Sequence, residues 1–136
     1  RYVQIARTEG AEVLERCSGT IPAKGFWCKP TALAGVQPSH TVAREEIFGP
    51  VVALMTFRTV DEAIARANDS AYGLSAGVWT GKGSRILKLS AELKAGVVWA
   101  NTYNKFDPAS PFGGYKESGF GREGGRHGLL DHVRVV

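Results

Sequence analysis

The chain has 136 residues, 43% hydrophobic and 22% charged, with a formal net charge of +4. That length and composition suit one globular domain with a core, and exclude a disordered or fibrous chain. Two cysteines are too few for a disulfide framework, and no apolar run approaches the ~20 residues of a membrane-spanning helix.

Lys82, Arg85, Lys88 and Lys94 gather on one predicted helix. No aromatics are interleaved with them, so they read as a solvated face, not a nucleic-acid footprint. No signal-peptide pattern is visible. The setting is expected to be reducing and cytoplasmic, with no nucleic-acid and no membrane partner. Arg1 to Arg7 has mid-helix character without Met or N-cap, and Val133 to Val136 reads as a strand. Both ends are expected to be cuts from a longer chain.

In chain order, Tyr2, Val3, Ile5 and Ala6 fit the last turns of a helix stopped at Gly10. Short strands are expected over Glu12 to Arg16, Phe26 to Cys28 and Thr31 to Val36, with Cys28 in the core. Val51 to Arg58 is a near-continuous apolar run and predicts a strand buried on both faces. Thr59-Val60-Asp61-Glu62 has the form of a capping box. Val60, Ala63, Ile64 and Ala67 follow at helical spacing. Leu74 to Thr80 is a strand and Ser84 to Lys94 a helix, with Ile86, Leu89 and Leu93 inward and Gly96 as its C′ residue. Val97 to Ala100 is a further buried strand. Strand, helix, strand, helix, strand over 51–100 predicts an α/β fold: a layered, mostly parallel sheet with crossover helices.

After Asn101 the chain becomes loop-like and rich in rings and prolines. Seven of its 17 glycines fall between Gly113 and Gly128. Gly119-Phe120-Gly121-Arg122-Glu123-Gly124 matches the dinucleotide pattern G-x-G-x-x-G, but no buried strand precedes it, and the 136 residues end before the second strand and the acid ~20 residues on that the pattern needs. It reads as a glycine-laced turn into a helix starting near Arg122. His127 and His132 are five apart and share no helix face, so no metal site is expected. Cys17 lies in no helix-start context that would make it a nucleophile.

Two stretches stay open on the residues alone. Glu45-Glu46-Ile47-Phe48-Gly49-Pro50-Val51-Val52 sets two acids and a ring before a Gly-Pro stop. It fits a polar turn ahead of a strand, or a grip on sugar hydroxyls and a flat heterocycle. Ser110 to Lys116 places one proline and two glycines around Phe112, with Pro108 just before it. It fits an exposed aromatic channel, or an Ω-like loop packed on its own rings.

Four stretches in this order and spacing resemble the aldehyde dehydrogenase superfamily. They are Glu45 to Val51; Ala67-Asn68-Asp69-Ser70-Ala71-Tyr72-Gly73-Leu74; Gly96 to Asn101; and Ser110-Pro111-Phe112-Gly113-Gly114-Tyr115-Lys116-Glu117-Ser118-Gly119. The resemblance spans essentially the whole chain. It implies that residues 1–136 are the C-terminal portion of that family's catalytic domain. The dinucleotide-binding domain and the segment with the catalytic cysteine would lie upstream. It implies NAD or NADP as cofactor, an aldehyde as substrate, oxidation to a carboxylic acid through a cysteine thiohemiacetal, and a homo-oligomer.

By that resemblance Glu46 binds the hydroxyls of the nicotinamide ribose, and Phe48 packs near the nicotinamide. Phe106 and Phe112 line the substrate funnel. Glu123 is an accessory acid near the active site, handling water or protons. Val133 to Val136 resembles the start of a segment near the subunit interface. The nucleophile has no counterpart here, so this chain alone is expected to be inactive. Asn104-Lys105-Phe106-Asp107-Pro108 departs from the family by placing charges where apolar residues are common. A more polar substrate or a disused pocket would explain that. The alternative reading is a non-catalytic, dehydrogenase-like scaffold or partner-binding domain.

Overall fold

A computed structural model describes residues 1–15 and 18–134 of the chain. They fall into two units, Arg1–Arg58 and Thr59–Val136.

The first unit opens with α1 (Tyr2–Thr8). Gly10 stops it at φ +93°, with the Gly10 N–H donating to the Arg7 carbonyl and the Ala11 N–H to the Ala6 carbonyl. Both bonds belong to a Schellman ending, and the positive φ is the reason for glycine there. Then come β1 (Glu12–Leu14), β2 (Thr31–Ala34), α2 (Thr41–Arg44) and β3 (Val51–Ala53). The sheet order is β1-β2-β3, antiparallel then parallel. Ala6, Ala11, Leu33, Val36 and Val42 form the core, with Tyr2, Ile47 and Val51 packed on it. The Glu9 carboxylate accepts from both the backbone N–H and the hydroxyl of Thr41. It supplies an acceptor and a negative charge where the first N–H groups of α2 lack partners.

Two strand expectations are corrected here. Phe26 to Cys28 is irregular, Phe26 and Trp27 are exposed, and Cys28 is an exposed free thiol, not a core residue. The Trp27 indole N–H turns back to the Lys24 carbonyl, so the segment bonds to its own turn instead of a ladder. The strand expected over Val51 to Arg58 is regular only to Ala53, although the Leu54 N–H still donates to the Leu33 carbonyl. Val52, Leu54, Met55 and Phe57 are exposed, so it is not buried on both faces among the described residues. Cys17 and the end of the strand expected over Val133 to Val136 lie outside the described residues; Val133 and Arg134 are irregular.

The second unit carries α3 (Val60–Asn68), β4 (Tyr72–Gly73), β5 (Ser75–Val78), α4 (Gly83–Glu92), β6 (Val97–Ala100), β7 (Tyr115–Lys116) and α5 (Gly125–Leu130). The Thr59 hydroxyl accepts from the Glu62 N–H at 3.1 Å, as the capping-box pattern requires. Ile64 is buried, Val60 and Ala63 are half-buried, and Ala67 is exposed. β5 and β6 pair in parallel with α4 as their crossover, and β4 pairs antiparallel with β7. Mixed helices and sheets with parallel strands are therefore present, as the α/β expectation has it.

The α4 helix ends at Leu93, and Gly96 has no positive φ, so Gly96 is not its C′ residue. Its hydrogen atom side faces backbone instead: a Cβ on Gly96 would overlap the Gly113 carbonyl oxygen. The helix expected near Arg122 begins at Gly125, after Gly119 and Gly124 turn the chain at positive φ.

Candidate functional site

In the first unit the stretch from Glu45 to Pro50 leaves α2 and enters β3. Its two acids differ. The Tyr2 hydroxyl donates to the Glu45 carboxylate at 2.9 Å, while the exposed Glu46 carboxylate has no hydrogen-bond or ionic partner among the described residues. Phe48 stands at φ +51° with its ring 93% exposed. A bulky side chain in left-handed backbone is strained, and burying the ring does not offset that strain here. Ile47, one residue earlier, packs on the core. The local chain thus anchors Ile47 and presents a free carboxylate and an open aromatic face two residues apart.

In the second unit β6 delivers Trp99, which is 8% exposed, into a cluster of rings. Tyr103 and Phe106 meet it edge-on, with centroids at 5.0 and 5.7 Å; Phe106 meets Phe112 edge-on at 4.9 Å. These are favourable aromatic geometries. The Trp99 indole N–H donates to the Lys105 carbonyl at 2.8 Å and fixes the loop that carries Phe106. Phe112 and Glu123 exchange both backbone hydrogen bonds at 2.7 Å, an isolated antiparallel bridge. Residues directly opposite in such a bridge present their side chains to the same face. A pocket of about 610 Å³ has Trp99, Phe106, Phe112 and Glu123 in its lining, together with Lys105 and Asp107.

Backbone contacts hold this pocket in shape. Gly96 and Gly113 lie too close for any side chain between them. The Arg122 guanidinium donates to the carbonyls of Gly114, Phe120 and Gly121 and lies over the Tyr115 ring, 5.1 Å from its centroid. The Lys116 ammonium donates to the carbonyls of Asn68 and Ser70 at the end of α3, each at 2.9 Å. Asn68 in turn bonds the Glu92 carbonyl and the Lys94 N–H at the end of α4.

The site residues expected from sequence therefore group as two sets. Glu46 and Phe48 stand together in the first unit. Phe106, Phe112 and Glu123 stand together around one pocket in the second. Sequence reasoning gave Trp99 only a place in a strand, and gave Arg122, Asn68 and Lys116 no separate role. A tryptophan leading into a ring-rich loop is a usable signal for a pocket wall. The other three act on backbone distant in sequence and leave no local signal.

The model of the aldehyde dehydrogenase family matches residues 1–136. The chain belongs to the aldehyde dehydrogenase family. It is 46% identical over 135 residues to the human mitochondrial aldehyde dehydrogenase, covering 98% of this chain and 26% of that protein. It is 45% identical over 139 residues to the betaine aldehyde dehydrogenase of Brucella melitensis, covering 98% of this chain and 28% of that one. The solved NAD-dependent aldehyde dehydrogenase from Sinorhizobium meliloti superposes with a TM-score of 0.89 at 45% identity, over 96% of this chain and 26% of that one. A Mycobacterium tuberculosis aldehyde dehydrogenase solved with NAD+ gives 0.86 at 44%, over 96% and 27%. The chain thus spans about a quarter of the length of the curated relatives it matches. No helix among the described residues is long and apolar enough to cross a membrane.

Proposed function

We propose that this chain is the C-terminal portion of the catalytic domain of an NAD(P)-dependent aldehyde dehydrogenase. The whole protein oxidises an aldehyde to a carboxylic acid. The observation that carries this is the pairing at Glu46 and Phe48: an unengaged carboxylate two residues from an exposed ring held at positive φ. A carboxylate accepts hydroxyl protons, and a ring face accepts a flat heterocycle. The pair therefore fits a nicotinamide riboside. Charge-assisted bonds of this kind contribute about 1.5–3 kcal/mol each.

When bound, the nicotinamide cofactor supplies the hydride acceptor. This chain's own residues do the rest of what it can contribute. Glu46 binds and orients, and Phe48 stacks. Phe106 and Phe112 wall the aldehyde's path and exclude water from it. Glu123, exposed and facing the same side as Phe112, takes up a proton released as water becomes part of the carboxylate. The nucleophilic cysteine and the donors that stabilise its oxyanion belong to the remaining three quarters or so of such a protein. Exposed apolar side chains such as Leu54 and Phe57 support burial against the rest of the chain or a second copy. A cytoplasmic homo-oligomer is the form proposed.

The test is a titration of the full-length protein with NAD+ and NADP+, followed by turnover with a panel of aldehydes. Cofactor-dependent production of carboxylate supports the reading. A folded protein that binds neither cofactor overturns it.

A further inference from the structure

The loop after β6 is tethered at one point. Asn101 and Asn104 turn it at φ +52° and +56°, a backbone region that asparagine enters more readily than most side chains. From Thr102 to Phe106 its only hydrogen bond among the described residues is the one that the Lys105 carbonyl accepts from the Trp99 indole N–H at 2.8 Å. The donor is held firmly: Trp99 is buried and pairs with Gly77 across the parallel β5–β6 ladder. Phe106, the residue after Lys105, stands edge-on to Trp99 and to Phe112 and forms a wall of the pocket. Edge-on rings attract over a broad range of centroid distances, about 4.5–7 Å, so ring contact alone lets Phe106 slide. The hydrogen bond demands both a distance and an angle, and fixes where the ring stops.

We infer that Trp99 is a positioning residue that sets the width of the aldehyde pocket through the main chain of Lys105 and the ring of Phe106. This rests on the proposed aldehyde oxidation and names the substrates that site prefers: unbranched aldehydes over isomers branched beyond the carbonyl. A slot beside two fixed rings admits a straight chain, whereas a tert-butyl end has to displace one of them. Without the indole donor the Lys105 carbonyl loses its one partner. Phe106 is then free to swing away from Phe112, and the branched isomer is penalised less. One neutral hydrogen bond corresponds to a bias of about two- to tenfold in that equilibrium.

The experiment uses the full-length enzyme and two isomeric aldehydes, hexanal and 3,3-dimethylbutanal. The parent is expected to have the higher kcat/KM with hexanal. Trp99→Phe removes the donor and keeps a ring. An isostere of Trp99 with sulfur in place of the indole N–H removes the donor alone, and keeps the test open should Trp99→Phe not fold. In either variant the ratio of kcat/KM for hexanal to that for 3,3-dimethylbutanal falls about two- to tenfold. The ratio does not depend on the folded fraction, so lost stability alone leaves it where it was. Phe106→Ala lowers the ratio by itself, and the isostere lowers it no further in that background, because Trp99 acts through Phe106. Calorimetric binding of the unreactive hexanamide and 3,3-dimethylbutanamide follows the same wall without turnover. A ratio unchanged by the isostere, an equal fall with and without the Phe106 ring, or a parent that prefers the branched isomer overturns the inference while leaving aldehyde oxidation in place. An amide preference that depends on the Trp99 N–H, without turnover of any aldehyde, overturns the functional reading and keeps the role of Trp99. Neither turnover nor amide binding overturns both.

Discussion

The Tyr2 hydroxyl donates to the Glu45 carboxylate at 2.9 Å, and that bond decides which of two adjacent acids is left for a ligand. Glu46 keeps its carboxylate unengaged among the described residues. In the full-length protein, Glu46→Gln is expected to weaken cofactor binding or slow hydride transfer. Glu45→Gln is expected to leave cofactor affinity alone and to cost about 0.5–1.5 kcal/mol of stability through the Tyr2 bond. Cofactor titration and urea unfolding of the two variants separate the roles. Equal effects of both on cofactor affinity would remove Glu46 from its special position.

Gly96 is expected to tolerate no side chain. Its Cβ would overlap the Gly113 carbonyl oxygen, which is backbone and has no flexible end to move. Gly96→Ala should destabilise the protein by about 3 kcal/mol or more, since overpacking costs run to that size. Gly81→Ala is the control: nothing lies within 4 Å of a Cβ there, and its φ is ordinary. It should be neutral within about 0.5 kcal/mol. Denaturant midpoints for the pair check this; similar values would mean the two backbones are not in contact.

Lys116 is expected to matter more for stability than an ordinary lysine. Its ammonium satisfies two carbonyls at the end of α3, both part-buried bonds. Lys116→Met removes a cation at a helix C-terminus and leaves those acceptors without it, for an expected loss of about 2 kcal/mol. Thermal unfolding of the variant measures it. A change no larger than that of Lys82→Met, whose side chain caps nothing, would deny the clasp.

The Lys88 ammonium hydrogen-bonds Asp61 at 2.5 Å, linking α4 to α3. The bond to Asp61 and its negative charge raise the Lys88 pKa above 10.5. A raised pKa contributes stability that is fully present below the ordinary lysine value and lost as pH rises through the folded value. Both side chains are exposed, so the contribution is small and falls with salt. Lys88→Met should therefore differ from the parent little at neutral pH and not at all once pH has passed the folded value. A difference that grows with alkaline pH would contradict the pairing.

What was legible in the sequence was local. The Gly10 stop and the Thr59 cap each need only neighbours within a few residues, and both are seen. The βαβ unit over 75–100 declared itself through two periodicities in alternation. The failures share one cause. Phe26 to Cys28 has strand composition, but a strand also needs a partner, and that segment bonds to its own turn. Gly96 fits a helix stop in sequence because glycine permits both positive φ and close approach, and sequence does not say which. In sequence, resemblance alone separates Glu46 from Glu45. The Tyr2 bond supplies a physical reason that spans 43 positions of chain. In sequence Phe106, Phe112 and Glu123 stand apart, and only the Phe112–Glu123 bridge shows why two of them face one pocket.

The most direct measurement is the carboxylate and reduced nicotinamide formed by the full-length protein from an aldehyde with NAD+ or NADP+, compared between the parent and Glu46→Gln. An aldehyde dehydrogenase in which Glu46 holds the cofactor yields the two products in equal amounts, and more slowly or with weaker cofactor binding in the variant. A folded protein that, supplied with NAD+ or NADP+, forms neither product from any aldehyde, or a Glu46→Gln variant indistinguishable from the parent in rate and cofactor affinity, would contradict it.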